Sequence, residues 1–380
     1  MMWARFSEQL LRAAERFHRR THPEPTLPKV ELLATLWTEF EHFDRFAKDP
    51  RLSGIRINPA MILPDELEHA LARINVPDAT VPLWYDVKGR QLRIEEVHLC
   101  GNYYEIVMNH AISMELTCER SRGIILKAGN DEALIQEITD GGRRIVLADG
   151  ALYGPRFRLV PGESVHIRNP TLRVHGPLFT DVELGKIETA KRAGFTRWFL
   201  SYVEDKRDID QLRELIGQEP EIWLKIESKR GLEFVAHDFE KKDNLVLTAA
   251  RGDLFVELDK PHQIANALRL IIKKDPGACV GSRILLSVVQ RPMPPAEKER
   301  ALKELYERAK WNTPQMAAVR DLLVAVFHDP VPSCADFSEL AWLMDIGYRR
   351  FLLCDELCLH GDLLDTATGA FRAFTQDYSA

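Results

Sequence analysis

The sequence predicts an α/β chain folded as a TIM-type (β/α)8 barrel, preceded by an N-terminal helix and interrupted by a small all-β lid domain. Three observations carry this reading. Short apolar runs alternate with helical patterns over residues 28–89 and again over 176–380. Strands separated by helices build parallel sheets, and eight of them close a barrel. Between the two blocks, residues 90–175 hold β-type runs broken by Gly, Asp and Asn, the punctuation of hairpins. An insert leaving from the end of a third strand sits at the barrel mouth, where lids belong.

Residues 1–27 form a helical extension. Trp3, Phe6, Leu10, Leu11, Ala14 and Phe17 recur at three- and four-residue steps, the pattern of an amphipathic helix. Its apolar face is expected to pack on the barrel or on a second copy of the chain rather than on a membrane, so a homo-oligomer is an open arrangement. Lys29–Leu36 reads as the first strand, Thr38–Phe46 as a helix, Ser53–Asn58 as the second strand, Pro64–Ile74 as a helix and Thr80–Asp86 as the third strand. After the insert, Leu184–Ala193 is helical, Phe195–Val203 the fourth strand, Asp208–Ile216 a helix, Glu221–Ile226 the fifth strand and Asn244–Ala250 the sixth. Pro261–Ile272 is a helix and Ala278–Leu285 the seventh strand. Pro295–Ala309 and Pro314–Phe327 are helices, Arg350–Cys354 the eighth strand and Gly361–Phe374 the closing helix.

Bulk properties narrow the function. With 380 residues, 45% of them hydrophobic, the chain can bury a sizeable core. A net charge of −6 gives no basic footprint for nucleic acid. No apolar run is long enough to span a membrane. Cys100, Cys118, Cys279, Cys334, Cys354 and Cys358 follow neither zinc nor disulfide spacing, so a reduced, cytoplasmic compartment is expected.

The chemistry gathers in Trp223–Glu227 (WLKIE) and Ala250–Glu257 (ARGDLFVE). Lys225 and Glu227, two apart, share a face of an extended strand at about 6–7 Å from each other. Gly252 lets backbone come close to a ligand beside Asp253. An ammonium with two carboxylates suits a divalent cation with a proton donor beside it.

KIE followed by ARGDLxVE resembles the centre of the pyruvate kinase family. Weaker matches keep the same order: Arg56 and Asn58 in GIRIN, Asp86, Lys88, Gly89 and Arg93 in WYDVKGRQLR, Asp149 and Gly150 in LADGAL. Ser282 in GSRILLSVVQRPMPPAE, then Glu356 and Gly361 in LCDELCLHGD, continue it. The resemblance runs from about Leu27 to Phe374 and leaves out that family's C-terminal regulatory domain.

The resemblance implies Mg2+ (or Mn2+) on Glu227 and Asp253. It implies Lys225, Ser282 and Arg56 as catalytic groups, with Lys225 facing the transferring phosphoryl group and Ser282 the enolate proton. Arg93 and the backbone of Gly252, Asp253 and Leu254 would bind a 2-oxo acid or phosphoenolpyruvate, and Arg56 and Asn58 would meet ADP or ATP. The K+ site is altered, because Ala60 and Val87 replace two hydroxyl ligands beside Asn58 and Asp86. Met61 and Val182 depart from the family near the nucleotide, and Glu204 reverses a charge. Three functions stay open. They are a pyruvate kinase-like phosphotransferase, a metal-dependent lyase or aldolase acting on a 2-oxo acid without nucleotide, and a non-catalytic binding protein.

Overall fold

The computed structural model describes residues 29–59, 62, 64–74, 76, 79–101, 103–116, 133–147, 161–289 and 331–378. The expected N-terminal helix, Ala60, Met61, Asp149, Gly150 and the helices over 295–309 and 314–327 lie outside them.

The chain opens with β1 (Glu31–Thr35), β2 (Gly54–Ile57) and β3 (Leu83–Val87). The β unit follows with β4 (Ile94–Cys100), β5 (Tyr103–Met108), β6 (Ala111–Ser113), β7 (Ile135–Thr139), β8 (Arg144–Leu147) and β9 (Arg173–His175). Then come β10 (Arg197–Leu200), β11 (Glu221–Ile226), β12 (Leu245–Ala250), β13 (Cys279–Gly281) and β14 (Arg350–Leu352). Eight of these close a parallel barrel in the order β1–β2–β3–β10–β11–β12–β13–β14, with helices between them. β4, β5, β8 and β7 form an antiparallel sheet in that order, and β6 pairs with β9. This β unit has its own core around Ile94, Ile106, Met108, Ile145 and Leu147. Among the described residues no helix is long and apolar enough to cross a membrane.

Alternation along the strands decides what the barrel encloses. Leu33, Trp84, Phe199, Trp223, Val246, Cys279 and Leu352 pack together inside it. The Trp84 and Trp223 rings lie 5.1 Å apart and Phe199 5.2 Å from Trp223. Gly54 shares this layer because a Cβ there would stand 2.3 Å from the Trp84 ring. The alternate residues, such as Ile222, Leu224 and Ile226 of β11, join the larger core between strands and helices. Two residues after the inward plug, the same face turns polar: Thr35, Arg56, Asp86, Ser201, Lys225 and Thr248 are all buried. A floor of aromatic rings thus carries a polar layer at the C-terminal end of the strands, the end where barrels build sites.

Several elements depart from the sequence reading. Arg251–Glu257, which the sequence reading assigned to no element after the sixth strand, is a helix, since the β12–β13 pairing ends at Ala250 and Gly281. The seventh strand shrinks to Cys279–Gly281. Ser282, Arg283 and Leu285 follow it with φ of 64°, 59° and 51°, a backbone no ladder continues. The helix over Thr38–Phe46 narrows to Phe43–Phe46, and Thr38 Oγ1 instead donates to the Ala70 carbonyl. Helices over Lys229–His237 and Cys334–Asp345 have no counterpart in the sequence reading. Each begins at a serine whose Oγ accepts a first-turn N–H, Ser228 from Gly231 and Ser333 from Asp336.

Candidate active site

Asp86 is the anion at the centre of the polar layer. Its carboxylate takes hydrogen bonds from Arg56, from Lys88 at 2.7 Å and from Ser201 Oγ at 3.0 Å, and lies 3.5 Å from Lys225 Nζ. Lys225 also donates to Ser201 Oγ at 3.0 Å and stands 2.9 Å from Glu227 Oε1. Against the burial that would raise it, Arg56, Lys225 and Lys88 hold the Asp86 carboxyl well below its ordinary range. Against burial again, Asp86 and Glu227 keep the Lys225 ammonium above its ordinary value. Lys88 goes the other way. Burial, joined by repulsion from Lys225, Arg56 and Arg93, pushes it down to about 7 despite Asp86.

Glu227 directly follows β11, and Asp253 lies in the first turn of the helix after β12. Because β11 and β12 are neighbours, the two carboxyl groups come within hydrogen-bonding reach. Burial pushes Glu227 up to about 7, with the Asp253 charge adding to it and Lys225 opposing. Asp253 is held far below its ordinary value, against burial, chiefly by His166 and then Lys225. Of the two acids, Glu227 is thus the one that takes up a proton more readily.

The pair fits a hard divalent cation. The Tyr202 N–H holds Glu227 Oε2 at 2.8 Å. Oε1 is buried and, although Lys225 Nζ is 2.9 Å away, no donor is aligned on it. Oε1 thus has the Lys225 charge beside it but no aligned hydrogen bond, and two neighbouring carboxylates are what Mg2+ uses alongside substrate oxygens and water. Thr248 Oγ1, also buried without a partner, sits at the strand position registered with Lys225. Among the described residues no group of three or more His, Cys, Asp or Glu side chains gathers at metal spacing, so the remaining positions would fall to ligand and water. Taking up the ion requires release of the Glu227 proton. Mn2+ affinity is therefore expected to fall as the pH drops through about 7, measured by titration one pH unit either side; equal affinities would remove Glu227 from the site.

The other candidate residues divide. Ser282 borders the start of the Asp253 helix: a Cβ on Gly252 would lie 3.4 Å from that of Ser282. The Leu254 side chain is fully buried, and its N–H is the first to find an intrahelical acceptor, the carbonyl of the Ala250 cap, so the free donors of this turn are those of Arg251, Gly252 and Asp253. Arg251 braces the Ser282 loop, donating to the Ser282 carbonyl at 2.6 Å and pairing with Glu339. Arg56 lies 3.3 Å from Asp355, and Asn58 Nδ2 donates to the other oxygen of the same carboxylate at 3.0 Å. The Arg93 guanidinium is bonded to the Gly162 carbonyl and to Gln91 within the β unit.

Reasoning from sequence missed the acids' other neighbours. His166, on the segment returning from the β unit, places Nε2 3.1 Å from Asp253 Oδ1 and Nδ1 2.9 Å from Glu257 Oε1. Against burial, these two acids raise it to about 10, so it is an imidazolium at neutral pH. No motif surrounds it. The available signal was the four-residue spacing of Asp253 and Glu257, which puts both on one face only if Arg251–Glu257 is seen to be helical. Lys186, one turn beyond Val182, is buried and donates to the Pro59 carbonyl at 2.9 Å.

No family model matches the chain. It is similar to curated pyruvate kinases at low identity. With that of Methanocaldococcus jannaschii it is 24% identical over 352 residues, 89% of this chain and 74% of the relative. With that of Agrobacterium vitis it is 30% identical over 179 residues, 45% of this chain and 34% of the relative. With that of Hypocrea jecorina it is 22% identical over 242 residues, 57% of this chain and 44% of the relative. The chain thus spans about three quarters of the archaeal enzyme and less than half of the other two.

Proposed function

We propose that this chain is a pyruvate kinase-like phosphotransferase of the cytoplasm, moving a phosphoryl group between phosphoenolpyruvate and ADP with Mg2+ held by Glu227 and Asp253. The observation that carries the reading is the buried Lys225 ammonium, 2.9 Å from the buried Glu227 carboxylate, with the Asp253 carboxylate facing the same pair. Similarity to pyruvate kinases along 89% of the chain supports it. A divalent ion bound there would act as a Lewis acid on the substrate carbonyl and neutralise charge. Lys225 would meet the phosphoryl oxygens as negative charge spreads over them. The backbone N–H groups of Gly252 and Asp253 would hold the carboxylate, and Ser282 would carry a proton to or from the enolate carbon. Arg56 and Arg93 would clamp phosphate with their guanidinium forks, Arg93 from the β unit (residues 90–175) that serves as lid to the barrel (28–89 and 176–380), and Asn58 would meet the nucleotide.

A second reading, a lyase or aldolase acting on a 2-oxo acid without nucleotide, is favoured by one observation. Arg56 and Asn58, the residues that would meet ADP, are both engaged by Asp355. A coupled assay with phosphoenolpyruvate, ADP and Mg2+ separates the two: turnover is expected, and its absence together with nucleotide-free pyruvate release from a C–C cleavage substrate would select the lyase. Run in K+ and in a quaternary ammonium salt, the rates are expected to agree. Arg56, Lys88 and Lys225 already surround Asp86, so no monovalent cation is needed there; a K+ requirement would refute that account.

A further inference from the structure

Behind the two carboxylates runs a second set of contacts that joins them. Tyr202 follows β10 with φ 53°, a left-handed conformation that a side chain disfavours. That backbone turn aims its N–H at Glu227 Oε2, 2.8 Å away. Its hydroxyl lies 3.0 Å from His166 Nδ1, and His166 Nε2 lies 3.1 Å from Asp253 Oδ1. Glu257, one helical turn beyond Asp253, faces Nδ1 as well at 2.9 Å. The imidazole is almost wholly buried, 2% exposed, and both of its ring nitrogens are engaged.

We propose that His166, braced by Tyr202, is a positioning residue that fixes the Asp253 carboxylate for the divalent cation, so that a residue of the β unit sets metal affinity in the barrel. This rests on the metal site read above. Groups that hydrogen-bond to metal ligands orient them and typically govern affinity by about 10–100-fold. His166 is not needed to dock its own segment, because Arg168 Nε, two residues on, already donates to the Val256 carbonyl of the same helix at 2.5 Å. Its contacts go to the site itself.

The test is Mn2+ binding to the full chain without substrate or nucleotide, followed by calorimetry and by the electron paramagnetic resonance line shape. His166→Ala and His166→Gln remove the same charge, but only glutamine keeps an N–H for Asp253. Glutamine is expected to bind Mn2+ about tenfold more tightly than alanine and to restore the wild-type line shape. Equal affinity in the two variants overturns the inference. Should both fail to fold, Tyr202→Phe removes only the bracing hydroxyl and is expected to weaken Mn2+ binding; unchanged binding there overturns it too. Wild-type protein that takes up no Mn2+ would instead overturn the metal site itself, a distinguishable result.

Discussion

Lys225→Met is expected to cut turnover of phosphoenolpyruvate, ADP and Mg2+ by about a thousandfold or more, the scale on which a cation facing a transferring phosphoryl group acts. The same change removes the cation 2.9 Å from Glu227. Glu227, already at about 7, would then rise further. A carboxyl raised in the folded state contributes stability below its unfolded value and loses it as the pH climbs through the folded one. The variant's destabilisation should therefore grow from mildly acid to mildly alkaline pH, read as denaturant midpoints beside the wild type. Retained turnover would take Lys225 out of the chemistry. A destabilisation that does not change over that range would contradict the buried Lys225–Glu227 pair.

The largest loss of stability is expected from Asp86→Asn, about 3–5 kcal/mol, the cost of breaking a buried ion pair from one side. Arg56, Lys88 and Lys225 converge on this one fully buried carboxylate. Without it they face one another in a layer closed below by aromatic rings. Lys88, already at about 7, would give up its proton first and limit the loss. The sign with pH follows from the depressed Asp86 value. Its stabilisation is present above the unfolded value near 3.8 and disappears only as the pH falls through the much lower folded one. The gap between variant and wild type should be flat around neutrality and close on strong acidification. A gap under about 1 kcal/mol, typical of exposed pairs, would mean that water screens the layer.

Much of the polar layer was legible in period-two spacing. Trp84 and Asp86, Phe199 and Ser201, Trp223 and Lys225, and Val246 and Thr248 are each two apart on one strand, so whichever way the first faces, the second follows. β11 spans the same Glu221–Ile226 in the sequence reading and in the structure, because an apolar run bounded by charge leaves little freedom in where it ends. Ser282 reads as strand from its apolar neighbours. It leaves the ladder because Arg251 holds its carbonyl from another element. Arg93 matches a motif but is held by Gln91, two residues before it, and by Gly162, 69 residues on, a partner that reaches it only once the β unit has folded.

The chain's own pattern determined the barrel, the β-rich insert and the placing of Lys225, Glu227 and Asp253 at the ends of adjacent strands. These follow from local periodicity and from the order of elements, which act over a few residues at a time. Tertiary structure alone decided that Asp86 gathers three cations, that Asp355 engages Arg56 and Asn58, and that His166 bridges Asp253 and Glu257 from 87 and 91 residues away. Contacts of that kind depend on side chains meeting across folded elements, and no spacing along the chain encodes which of many buried charges will find which partner.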